Sequence, residues 1–125
     1  MVTIDEAEGM LNEIAAELPP EFFHELNGGI LLLPEKKLHP EHVHSDLFTL
    51  GEYHSNQNMG KYIIIYYGSM IRVFGHLPPA QFKEELRETL LHEFTHHLEF
   101  LAGERGLEIK DAIAMEKYRR NRNPE

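Results

Sequence analysis

The sequence predicts a single α+β domain in which helices pack on one face of a small mixed or antiparallel sheet. Three observations predict it. Apolar residues recur at helical spacing near both ends of the chain. The middle carries short β-branched and aromatic runs separated by turn residues. The order is therefore helix, strands, then helices, which is the α+β pattern. A chain of 125 residues has the length of one ordinary domain, so residues 1–125 are expected to form one unit.

Thr3 is placed to cap a first helix, and Glu6, three residues later, completes a capping box. Ile4, Ala7, Leu11, Ile14, Ala15 and Leu18 then follow the helical period. Pro19-Pro20 stops this helix, and Pro20 is suited to open a short second one through Leu26. Asn27 to Gly29 reads as a turn and "ILLL" as a short buried strand that ends at Pro34. "PEKKLHPEHVHSD" reads as a loop, and its His39, His42 and His44 as exposed loop residues. "DLFTLGEYH" reads as a strand and "NQNMGK" as a hairpin loop. "KYIIIYY" is a continuous run that suits a strand covered on both faces. "MIRVFGH" alternates, which predicts another strand after a turn or bulge at Gly68-Ser69. Pro78-Pro79 then opens a long helix to about Ala102, with Gly103 as its C-terminal glycine. A last helix is expected over Leu107 to Arg119.

Bulk composition excludes several functions. The balance of 12 basic against 21 acidic residues, a formal charge of -9, argues against nucleic acid or an anionic membrane as partner. The one basic cluster, "KYRRNR", reads as a solvated helix end. The absence of cysteine excludes disulfides and thiolate metal sites. "MVTIDEAEGMLNEI" has no basic and no apolar region of a signal peptide, and the longest apolar runs are far too short to span a bilayer. A cytoplasmic location is the default expectation.

The chemistry is concentrated on the long helix. At 100° per residue, Leu86, Leu90, Phe94, Leu98 and Leu101 fall on one side. Glu85, Glu88, Thr89, His92, His96 and Glu99 fall on the opposite side, towards a cleft or water. Residues four apart lie one above the other on a helix. Two imidazoles at that spacing reach one Zn²⁺ at about 2.0–2.1 Å each. His92 and His96 are thus candidate metal ligands, and the Glu93 between them a candidate general base. His97 lies about 140° from His92, nearer the core, and is expected to be a hydrogen-bonded core or boundary residue. Tyr53, Tyr66, Tyr67 and His76 are candidate oxyanion donors, with aromatic packing as the simpler role. "KYIIIYYGS" suits either a core strand or a strand that pairs with an extended peptide substrate.

"LLHEFTHHLE", in a chain this short, resembles the minimal zincin-like metallopeptidases, small bacterial single-domain proteins with an H-E-x-x-H active-site helix. The resemblance is best from Leu86 to Asp111 and extends loosely upstream through "ELPPEFFHELNGGILLLPE" and "YIIIYYGSMIRVFGH". It implies a zincin-like fold, Zn²⁺ as cofactor, and hydrolysis of a peptide or protein substrate. His92 and His96 would be the zinc ligands and Glu93 the catalytic base. The family's usual H-E-x-x-H-x-x-G-x-x-D tail is not kept, because Glu99 stands at the glycine and Ala102 at the aspartate. The candidates for the third ligand are, in order, Glu104, Glu99, Asp111 and Glu108. Glu104 ranks first because a chain reversal at Gly103 would bring it back towards the pair. Glu99 also suits a partner that orients a ligand histidine. The rival expectation is a non-catalytic metal-binding or interaction domain on the same scaffold.

Overall fold

The computed structural model describes residues 1–40 and 47–105, the last two by their backbone alone. The expected helix over 107–119 lies outside these residues, as do His42, His44, Glu108 and Asp111.

The first helix, α1 (Ile4–Glu17), begins with the predicted reciprocal cap. Glu6 N donates to Thr3 Oγ1 at 3.1 Å, and Thr3 N donates to Glu6 Oε1 at 2.9 Å. Its Ala7, Leu11 and Ile14 are buried. The extended Leu18, followed by Pro19-Pro20, ends it, and a 3-10 turn (Pro20–Phe23) places Phe22 in the core. The chain then enters β1 (Gly29–Leu33), with Gly29 at a positive φ of 73°. The short strands β2 (Lys37–Leu38) and β3 (Phe48–Thr49) pair antiparallel with each other. The predicted strand over 46–54 is thus two strands, interrupted at Leu50, and the second is β4 (Gly51–Asn56). A hairpin joins β4 to β5 (Gly60–Tyr66). Asn56 Oδ1 holds its turn by accepting from Asn58 N at 3.0 Å and Met59 N at 2.6 Å.

The sheet order is β1-β5-β4, with β1 parallel and β4 antiparallel to the central β5. The sheet is therefore mixed, and the protein is α+β. Ile63 and Ile65 of β5 face the helices, and Tyr62, Ile64 and Tyr66 pack with Leu31 and Leu33 on the other face. β5 is covered on both sides, as its unbroken apolar run predicts. Because both its edges are already paired, β5 is not the strand that could receive a peptide. β4, at the edge of the sheet, holds that position.

Two expectations are corrected. "MIRVFGH" is not a strand but lies mostly in α2 (Tyr67–Phe74). Met70, Ile71, Val73 and Phe74 satisfy a helical period as well as an alternating one, and tertiary contacts choose between them. Gly68 N donates to Glu35 O at 3.1 Å, and Ser69 Oγ accepts from Lys37 N at 2.9 Å. The fit is so close that a Cβ on Gly68 would lie 2.7 Å from backbone atoms of Glu35 and Lys36. The second correction is the end of α3 (Pro79–Arg105), which runs through Gly103 and does not stop there. A glycine inside a helix costs only about 1 kcal/mol relative to alanine, so its presence alone does not force an end.

The apolar side of α3 is as predicted. Leu86, Leu90, Phe94, Leu98 and Leu101 are all buried, the first four in one core with α1 and the sheet. Arg87, only 3% exposed, ties α3 to α1. Its guanidinium bonds Glu84 on its own helix and Glu17 at 3.1 Å. Lys83 adds a second tie to Glu13 at 2.6 Å. This packing holds the polar side of α3 turned towards β4. No helix among the described residues is long and apolar enough to cross a membrane.

Candidate metal centre

A cleft of about 1140 Å³ lies between the edge strand β4, with β3 beside it, and the polar side of α3. β4 and α3 run along it in the same sense. A Cβ on Gly51 would meet Thr89 Cγ2 at 3.2 Å, and two residues on, Tyr53 meets His97. The predicted stripe of Glu85, Glu88, Thr89, His92, His96 and Glu99 lines this cleft, together with Glu93.

His92 and His96 are exposed to the cleft, and their Nε2 atoms lie 3.2 Å apart. The rings stand nearly perpendicular, at 88°, with centroids 4.7 Å apart. Two nitrogens each about 2.05 Å from an ion, at the tetrahedral angle, are separated by about 3.3 Å. The 3.2 Å contact, a hydrogen bond between the two ring nitrogens, is thus close to the nitrogen–nitrogen separation that a tetrahedral zinc site requires. Among the described residues, no group of three or more His, Cys, Asp or Glu side chains forms a complete metal-holding set. The pair could supply two ligands to a metal ion.

The ligand candidates downstream fall out differently. Glu99 Oε1 lies 3.9 Å from Nδ1 of His96, the ring nitrogen opposite the one shared with His92. At 3.9 Å this is too long for a hydrogen bond, but it puts the carboxylate on the side of the ring from which a partner would orient a ligand imidazole. For Glu104, the reason for ranking it first is removed. The helix continues to Arg105, so the chain does not reverse at Gly103. The Glu104 backbone lies eight residues past His96, about 12 Å along the axis. Glu108 and Asp111 lie outside the described residues.

Glu93 is 6% exposed and opens onto the cleft. Burial first, and then the charge of Glu52, push its carboxyl up to about 7. A carboxyl poised near neutrality both takes and returns a proton readily at that pH. Glu52 on β4 behaves in the opposite way. Burial pushes it up, but hydrogen bonds from Lys37, His54 (2.8 Å) and Tyr66 (2.9 Å) outweigh burial and hold it below its ordinary range. The charge of Glu52 thus adds to burial in raising the Glu93 carboxyl. Its role was not anticipated. The available signal was "GEYH", which puts Glu52 and His54 on the same face of a strand.

His97 is a core histidine, as expected, with no exposure. Its Nε2 donates to the carbonyl of His24 at 2.7 Å. Burial lowers its pKa, so the ring is neutral, and Nδ1 is left to accept from the Tyr53 hydroxyl at 2.7 Å. The candidate oxyanion donors are engaged elsewhere in part. Tyr53 lines the cleft but donates to His97, Tyr66 donates to Glu52, and Tyr67 donates to Val2 O at 2.6 Å. His76 is not among the residues lining the cleft.

No protein-family model matches the chain, and a search of curated proteins found no match. Among solved structures it is similar to a conserved hypothetical protein from Thermus thermophilus. The two share 31% sequence identity with a TM-score of 0.72, over 82% of this chain and 99% of the other.

Proposed function

The chain belongs to the family of that conserved hypothetical protein, and from the chemistry of its cleft we propose that it is a zincin-like, zinc-dependent metallopeptidase. The observation that carries this reading is the 3.2 Å separation of the His92 and His96 Nε2 atoms, with the buried Glu93 carboxyl beside them. His92 and His96 hold Zn²⁺, and a carboxylate completes the protein ligands. Glu99, 3.9 Å from the other nitrogen of His96, is the carboxylate placed to orient that ring once the metal is bound. Zinc held there would supply Lewis acidity, lowering the pKa of water towards neutrality and polarising a carbonyl. Glu93 accepts the proton of the attacking water and delivers it to the leaving amine. The edge strand β4 offers backbone groups along which an extended peptide lies beside the histidine pair.

Substituting Glu93→Gln keeps the shape of the side chain and removes the base. The variant is expected to bind zinc as the native chain does and to lose hydrolysis of a broad peptide library. Full activity in Glu93→Gln removes the mechanism. The rival reading, a non-catalytic metal-binding domain, predicts zinc binding by the native chain with no chelator-sensitive cleavage of any peptide in the library.

A further inference from the structure

The charge lining the cleft bears on which peptides it takes. Its wall carries the carboxylates of Glu52, Glu85, Glu88, Glu93 and Glu99, and among the described residues no lysine or arginine lines it. Lys37 answers Glu52. Glu93 makes no hydrogen bond among the described residues, although it is 6% exposed and opens onto the cleft. A buried acid without a partner, in a wall of further acids, calls for a cationic or proton-donating occupant.

The spacing fits an extended chain. Glu85 and Glu88 precede His92 by about 10 and 6 Å along the helix axis, and Glu99 follows His96 by about 4.5 Å. A peptide laid along β4 advances about 3.3 Å per residue. The carboxylates therefore stand within about three peptide residues on either side of the histidine pair. The chain's formal charge of -9 adds long-range attraction for a basic partner.

We propose that the cleft selects extended peptides that carry lysine or arginine, with Glu85 and Glu88 receiving cationic side chains on one side of the histidine pair and Glu99 on the other. This substrate class rests on the peptidase reading for its consequence, but the selectivity is a property of binding and is measured without turnover. The probe is a fluorescent decapeptide in three versions, with lysine and arginine, with glutamine, or with glutamate at the same positions. Its anisotropy is titrated with the full chain freed of metal by chelator. The basic version is expected to bind about tenfold tighter than the glutamine version at about 50 mM salt, and the glutamate version weakest. Most of that preference is expected to vanish at about 300 mM salt and in Glu85→Gln/Glu88→Gln. Equal binding of the three peptides to the native chain overturns the proposal, whether or not the variant folds. So does a basic preference that survives unchanged in a folded double variant. Charge selection without any cleavage after zinc is restored removes the peptidase reading and leaves the selectivity standing. Cleavage that ignores peptide charge does the reverse.

Discussion

The Tyr53 hydroxyl donates to Nδ1 of His97 at 2.7 Å, and this bond joins the edge strand β4 to the helix that carries the histidine pair. His97 also reaches the His24 carbonyl, so one buried ring holds three parts of the chain in register around the cleft. Removing the hydroxyl in Tyr53→Phe keeps the ring contacts with His97 and Phe100 and leaves Nδ1 buried without a donor. Such a loss costs about 1–3 kcal/mol. Denaturant unfolding of the two proteins checks it. An unchanged midpoint contradicts this role for the bond.

Glu93 makes the stability of the metal-free protein depend on pH in a definite direction. Its carboxyl is raised in the folded state, from an ordinary 4.5 to about 7. Below pH 4.5 both states hold the proton and there is no penalty. As pH rises from about 4.5 to about 7, the unfolded chain releases its proton while the folded one keeps it, so this group's contribution falls. The full gap corresponds to at most about 3 kcal/mol, and solvent entering through the cleft reduces it. Denaturation midpoints at pH 5 and pH 8 are expected to differ less in Glu93→Gln than in the native chain. The same difference in both would show that Glu93 is not the group responsible.

The position of Glu99 separates orienting from ligating. A carboxylate that orients a ligand imidazole tunes affinity by about 10- to 100-fold. Competition with a fluorescent chelator is expected to show Glu99→Gln binding zinc that much more weakly while still holding it. Loss of stoichiometric zinc would instead make Glu99 a ligand, and unchanged affinity would assign it no part in the site.

Much of this arrangement was legible because it is local. The Thr3–Glu6 cap is three residues wide, and the two sides of α3 repeat over many turns, so core and cleft sides separate on periodicity alone. β5 announced its two-sided burial by carrying no polar alternation. What was not legible depends on distant partners. The seven residues of "MIRVFGH" fit two periods, and contacts of Gly68 and Ser69 with the backbone of Glu35 and Lys37, more than thirty residues upstream, accompany the helix. Gly103 looked like a helix end by type, yet the helix continues through it to Arg105, because glycine permits a helix end without requiring one. The Tyr53–His97–His24 line spans separations of 44 and 73 residues and leaves no mark on local pattern. Glu52 reaches Glu93 only because β4 is folded beside α3.

The central claim is that His92 and His96 together hold zinc. Its most direct test is metal analysis with zinc-edge X-ray absorption on the full chain, purified without a histidine tag. The account predicts one zinc per chain with two imidazole nitrogens at about 2.0–2.1 Å, and loss of that zinc in His92→Ala/His96→Ala. A native chain that takes up no zinc from excess, or a double variant that keeps it undiminished, contradicts the account.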